Sequence, residues 1–198
     1  MKGLLIETMK VDMDGDEKFF EERTNKHIEL VQRAAKKIVD KYPELEPLLK
    51  QTGNHDASKF IEPERTPYIE LTQKLKKLDK QDKYETPGTI KNDELNKATL
   101  HHITTNSHHP EHHLDDKKEA NLDPEDRDKS VRCIDASKMP ELDMAEMIAD
   151  WQAMSEELKR NTTREWFNEQ RDVRWHFSDE QVAFINKLIG VFGNESTT

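Results

Sequence analysis

Residues 16–41 read DEKFFEERTNKHIELVQRAAKKIVDK. Within them Phe20, Thr24, His27, Val31, Ala34 and Ile38 recur at spacings of three and four. That is one face of an α-helix, not the alternation of a strand. Tyr42-Pro43 stops the run, because the residue before proline avoids helical backbone. The same period returns downstream. A short helical piece is expected over Glu44–Lys50, with Gly53 as its C-terminal stop. Tyr68–Lys80 has Ile69, Leu71, Leu75 and Leu78 as its apolar set, and Asn92–Thr105 carries Leu95, Ala98 and His102 on one stripe. Pro140 opens a further helix reaching about Lys159, since proline is tolerated in a first turn. Thr162–Phe177 is mixed, with Trp166, Phe167 and Trp175 as anchors. The last helix starts at Ser178, with Gln181 three residues on as in a capping box, and turns Val182, Ile185, Leu188, Ile189 and Phe192 inward.

Strand patterns are nearly absent and no internal repeat is evident. The pattern predicts an all-α fold, a single compact helical bundle over residues 16–192. Residues 1–15 stand outside it as an extension. Gly3-Leu4-Leu5-Ile6 reads as a short strand or a tail, and Asp14-Gly15 as a turn. Thr86-Pro87-Gly88 is a loop. Residues 115–130 form an exposed charged loop, because Asp115–Lys129 holds 11 charged residues in 15 together with Pro124. Residues 193–198 are a frayed tail.

Composition narrows the function classes. The chain has 198 residues and a net charge of −10; 33% of residues are hydrophobic and 36% charged. An average domain is about 25% charged, so this core is lean. Three-layer parallel sheets need near-continuous apolar strands, and none is found. No apolar run approaches the roughly 20 residues that span a bilayer. Met1–Lys10 lacks the apolar stretch of a secretory signal. The single cysteine, Cys133, has no partner for a disulfide within the chain, so a reducing, cytoplasmic setting is expected. The acidic balance argues against broad nucleic-acid or anionic-membrane binding, though not against a local phosphate pocket. The glycine-lysine pattern of a P-loop is absent.

Histidine is the anomaly. Of 9 in the chain, His101, His102, His108, His109, His112 and His113 fall in one short segment. His27 lies on the buried stripe of the first helix. Its plain alternative is a hydrogen-bonded core histidine, but each ring nitrogen needs a partner and a metal is one. His55-Asp56 diverge if they sit on a regular helix and converge on one ion if they sit at an irregular turn. Asp150, in Glu146-Met147-Ile148-Ala149-Asp150-Trp151, borders an apolar face where an unpaired carboxylate is costly. A salt bridge or a stripe-edge position is the plain alternative there.

The succession His27, His55-Asp56, Asp150 on successive helices resembles the HD-domain superfamily of metal-dependent phosphohydrolases, named for its His-Asp pair. The resemblance implies that His27, His55, Asp56 and Asp150 bind a divalent metal. The wording His55-Asp56-Ala57-Ser58-Lys59-Phe60, His101-His102, Asn106-Ser107-His108-His109-Pro110-Glu111 and Glu146-Met147-Ile148-Ala149-Asp150-Trp151 is similar to an uncharacterised family of small phage and bacterial HD-like proteins, over about residues 20–155. Two-metal HD proteins add two histidines between the doublet and the last aspartate. His102 is one, because it continues the Leu95-Ala98 stripe; His108 or His109 is the other. A solvated polar tract is the alternative for this segment. His101 points away, towards solvent or substrate, and His112 and His113 are outer or exposed.

The resemblance implies one or two ions (Mn, Fe, Zn, Co or Mg), with Asp56 bridging a pair. Such ions polarise a phosphoryl oxygen and make hydroxide available near neutral pH. Lys59 is a candidate to hold a phosphate oxygen, or is a plain surface lysine. Members often carry a glutamate near this place, so the general base is open between Glu111 and a metal-bound hydroxide. The trio Trp151, Trp166 and Trp175 reads as core before it reads as a base-stacking pocket. The expected activity is hydrolysis of a nucleotide or related small phosphate ester. The alternatives are an HD-fold di-iron oxygenase and a non-catalytic nucleotide-binding or regulatory module. The oligomeric state is not legible.

Overall fold

Helix α1 spans Lys2–Lys41 and supplies one wall of the core. Its predicted stripe is buried throughout: Phe20, Thr24, His27, Val31, Ala34 and Ile38 are each at most 8% exposed. The computed structural model describes the backbone of residues 2–79, 93–120, 133–159 and 161–193, and within these the side chains from residue 15 on, save 77–79. Helix α1 starts well before Asp16, so the strand or tail expected over Gly3–Ile6 and the turn at Asp14-Gly15 are both replaced by helix. The reason is cooperative. Once residues 16–41 are helical, each further residue adds one hydrogen bond without a new nucleus. A single mid-helix glycine costs only about 1 kcal/mol against alanine.

Six more helices follow among the described residues: α2 (Pro47–Gln51), α3 (Arg65–Asp79), α4 (Asp93–Thr105), α5 (Glu141–Leu158), α6 (Thr163–Gln170) and α7 (Asp179–Ile189). Two two-residue strands, β1 (Ile134–Asp135) and β2 (Trp175–His176), pair in parallel with Ile134 opposite Trp175. The fold is all-α. No helix among the described residues is long and apolar enough to cross a membrane.

The core forms where α1 packs along α5 and α5 along α7. Ala145, Ala149 and Ala153, spaced by four, are fully buried on α5. Small side chains at that spacing let neighbouring helices approach closely. Met144, Met147 and Ile148 fill the space beside them. On α3, by contrast, Ile69, Leu71 and Leu75 are only half-buried, and Leu78 lies outside the described side chains. That helix lies at the edge of the core, where it pairs with α1 through Arg65 to Glu17 and Glu21.

Local signals set the ends. Pro140 is the N-cap of α5, one residue earlier than its first turn. Ser178 accepts from the Gln181 backbone while the Gln181 side chain reaches back, as expected. Thr162 and Glu165 make a second such box, which starts α6 inside the stretch read as mixed. A Ser178→Ala variant should unfold about 1 kcal/mol more easily in urea, with the slope unchanged, because one orphan amide loses its acceptor. Gly53 is not a left-handed stop: no described glycine has positive φ, and the left-handed residue that follows it is Asp56, three positions on. Residues 121–130 of the charged loop, the Thr86–Gly88 loop and residues 194–198 of the tail lie outside the described residues. Lys117–Ala120 forms a 3-10 turn that buries Ala120, so the charged segment is anchored at its start.

Candidate metal centre

Chain direction brings four elements to one point. His27 enters from α1, His55 and Asp56 from the turn after α2, His102 from α4, and Asp150 from α5. Asp56 adopts left-handed backbone, φ 58° and ψ 16°. Aspartate tolerates this conformation better than most residues. Because the backbone turns there, the adjacent His55 and Asp56 side chains converge instead of diverging as on a helix: His55 Nε2 lies 3.7 Å from Asp56 Oδ2.

Asp56 is 1% exposed and stands between two groups of donors. Its Oδ2 faces His27 Nε2 at 4.0 Å and His55 Nε2 at 3.7 Å. Its Oδ1 faces His102 Nε2 at 3.3 Å and His108 Nε2 at 3.7 Å. Asp150 Oδ1 completes the first group, 3.0 Å from His27 Nε2 and 3.9 Å from His55 Nε2. His102, His108 and His109 form the second, each offering a ring nitrogen within 4.8 Å of the others. Either His108 or His109 was expected; both are present, because Asn106–His109 is a turn and not a helix that would splay them.

Three of the inward histidines have a carboxylate behind them. His55 Nδ1 donates to Glu146 at 2.8 Å, and His102 Nδ1 donates to Glu64 at 2.9 Å. His27 Nδ1 lies 3.4 Å from Glu157. A carboxylate only accepts, so the Nδ1 of His55 and of His102 each carries a proton, and Nε2 is the ring atom turned inward. Metal-binding histidines are oriented in this way.

The electrostatics favour a cation. Burial opposes charge on His27, but Asp150 and Glu157 outweigh it and raise its pKa to about 9. A proton thus occupies the place between these carboxylates when no metal does. Burial works against charge on Asp150, yet His27, His55 and His108 hold it below the usual carboxylate range. Asp56 is likewise held down, against burial, by Lys59, His55 and His102. Burial and the neighbouring His55 lower His108 to about 4. Burial, His108 and His102 push His109 well down. Both stay neutral, as ligands must.

Buried polar groups almost always have hydrogen-bond partners. His55 Nε2, Asp56 Oδ1 and His109 Nε2 are buried and have none. These three atoms belong to the two donor groups, and divalent ions would satisfy them. The residues therefore fit a metal pair, with Asp56 shared.

Residues 16–191 match DUF5662, described as a family of unknown function. The chain belongs to this family. No curated protein and no solved structure matches it.

In this DUF5662 chain the remaining expected residues sort by what they touch. Lys59 Nζ donates to Asp56 Oδ2 at 2.5 Å and sits over the Tyr68 ring at 5.5 Å. Its side chain keeps 23% exposure, so it reaches both the centre and solvent. Glu111, a candidate base, is not brought to the donor groups. Its Oε1 accepts from Trp175 Nε1 at 3.0 Å and from Arg174 at 3.4 Å. His101 does not simply point away: it donates to Glu64 at 2.7 Å and is part-buried. His112 and His113 bond the carbonyls of Thr104 and Ser107, outside the centre. The tryptophan trio splits, with Trp151 and Trp175 stacked in the core and Trp166 packed at its edge.

Glu64, Glu146 and Glu157 carry the histidines and were not singled out from sequence. For two of them a signal existed. Glu146, Asp150 and Glu157 are spaced by four and seven on α5, which is one stripe.

Proposed function

We propose that this DUF5662 chain is a divalent-metal-dependent phosphohydrolase of the HD type, acting on a nucleotide or a related small phosphate ester. The observation that supports it is the buried Asp56 carboxylate between two histidine groups, with inward atoms that lack hydrogen-bond partners. His27, His55, Asp56 and Asp150 would hold one ion; His102, His108, His109 and Asp56 would hold the other. Imidazole-rich donors suit Mn, Fe, Co or Zn better than Mg, which prefers oxygen. A pair of such ions polarises a phosphoryl oxygen and supplies hydroxide near neutral pH.

The chain's own residues do the rest. Lys59 is the cation that reaches both Asp56 and solvent. With Asp56 serving as a metal ligand, the Lys59 ammonium would be available to hold a phosphate oxygen as a point charge. Glu111 spends Oε1 on Trp175, which favours a metal-bound hydroxide over its carboxylate as the base. A cytoplasmic setting and a soluble small-molecule substrate belong to the same proposal, resting on the lone, exposed Cys133.

The full complement of three histidines in the second group also suits the alternative reading, a di-iron centre that oxidises its substrate with O₂. Metal identity separates the two. The expected result is about two ions per chain by elemental analysis, with phosphate or a monoester released from a nucleotide panel under Mn²⁺ or Co²⁺. Tightly held iron with oxygen uptake would favour oxidation. Ions bound but every nucleotide recovered intact would favour a binding module. No uptake of Mn²⁺, Fe²⁺, Co²⁺ or Zn²⁺ by the wild-type chain would defeat both enzymatic readings.

A further inference from the structure

The second donor group hangs on a short irregular segment. His108 and His109 lie between the end of α4 and the 3-10 turn Pro110–His113. No helix fixes their ring positions. His112 and His113 tie the turn back to carbonyls at the end of α4 and just beyond it. Glu111 ties it to something remote in sequence. Its carboxylate is 3% exposed and accepts from the indole of Trp175, 64 residues away. Trp175 stacks on Trp151 with centroids 5.6 Å apart and planes 22° apart. Trp151 follows Asp150 on α5. Arg174 lies over the Trp175 ring at 4.2 Å and also reaches Glu111.

A continuous physical connection therefore runs from the His109 segment, through Glu111 and the Trp175 indole, to the helix turn that presents Asp150. We infer that Glu111 is a positioning residue: through Trp175 it holds the His108–His109 segment in register with the Asp150 turn of α5, and so sets the second ion's site. The inference rests on the metal-centre reading above. A buried carboxylate two residues from the donor histidines would otherwise add a charge with no task, and burying charge is costly unless it is paired. Trp175 and Arg174 supply that pairing at Oε1, at a place where the segment needs a fixed point.

The test uses the full chain as wild type, Glu111→Ala, Glu111→Gln and Trp175→Phe. Glutamine keeps a carbonyl oxygen for the indole N–H. Phenylalanine keeps an aromatic ring against Trp151 but removes the donor, so the bond is tested even where Glu111→Ala fails to fold. In the metal-free chain, amide exchange over residues 106–113 should quicken in Glu111→Ala and Trp175→Phe, and stay near wild type in Glu111→Gln. In titrations with Co²⁺ alone, the ion that His109→Ala abolishes should weaken about 10–100-fold in Glu111→Ala, the usual effect of losing an outer-shell partner. The other ion should hold its affinity, and glutamine should restore most of the loss. A merely structural role would lower the melting temperature and weaken both ions alike, which overturns the inference. Two ions taken up by wild type, with exchange and affinities unchanged in a folded Glu111→Ala or Trp175→Phe, overturns it too. No ion taken up by wild type is a different failure, that of the metal-centre reading.

Discussion

Asp56→Asn should empty both halves of the centre at once. Metal content, measured on the native protein and after reconstitution with Mn²⁺ or Zn²⁺, is expected to fall from about two ions per chain towards none. The reason is the sharing of one carboxylate: Oδ2 faces His27 and His55, and Oδ1 faces His102 and His108. Losing an outer-shell partner typically costs 10–100-fold in metal affinity, so losing a charged ligand shared by two ions should cost more than about 100-fold at each. Asparagine is the informative replacement. It is nearly isosteric and, like aspartate, accepts left-handed backbone, so φ 58° is no obstacle to folding. The amide removes the negative charge and offers one oxygen in place of two. A His109→Ala control touches the second group alone and should lose a single ion. If Asp56→Asn retained both ions, Asp56 would not bridge, and the two donor groups would have to be reassigned.

How much of this was legible without coordinates depends on the range of the signal. The α1 stripe, the Leu95-Ala98-His102 stripe and the Ser178 box are local periodicities, and all three stand as read. The four spaced residues His27, His55, Asp56 and Asp150 were found through their resemblance to a known succession, and the structure brings them together around one point. What failed was long-range or conformational. Nothing local distinguishes Glu64 among the 41 acidic residues of the chain. Its meaning comes from His101 and His102, 37 and 38 positions away. Glu111 lay close in sequence to donor histidines and so looked like a base. Its true partner, the Trp175 indole, is fixed by the packing of β2 against the core. The αL backbone at Asp56 left no trace in the pattern either, because aspartate is also common at caps and turns. Gly53 was the more obvious candidate and does not use its freedom.

Glu64→Ala should produce the largest change in the stability of the metal-free chain. Glu64 is 0% exposed and takes three hydrogen bonds: from Ser58 Oγ at 2.9 Å, from His101 Nδ1 at 2.7 Å and from His102 Nδ1 at 2.9 Å. Ser58 also accepts from Asn106 at 2.8 Å, so the carboxylate is the hub through which α4 and the segment before α3 are joined. Burial pushes its pKa up, but hydrogen bonds from His102, His101 and Ser58 keep it lowered, so the group is an anion in the fold. Each buried donor left without an acceptor costs about 1–3 kcal/mol, and the emptied space lets some of them find water. A loss of about 3 kcal/mol is therefore expected, a large share of the roughly 5–15 kcal/mol that holds an ordinary domain together. The measurement is urea denaturation with chelator present, since bound metal would add its own stabilisation to wild type and inflate the difference. Glu64→Gln keeps an oxygen that can accept and should recover more than half of the loss. The same variant separates Glu64's two tasks. Glutamine restores the join between elements, yet it holds His102 Nδ1 with a neutral acceptor and makes Nε2 a weaker donor to metal. Affinity for the second ion should stay below wild type even where stability has returned. Equal recovery of both would mean that Glu64 braces the fold without tuning the imidazole.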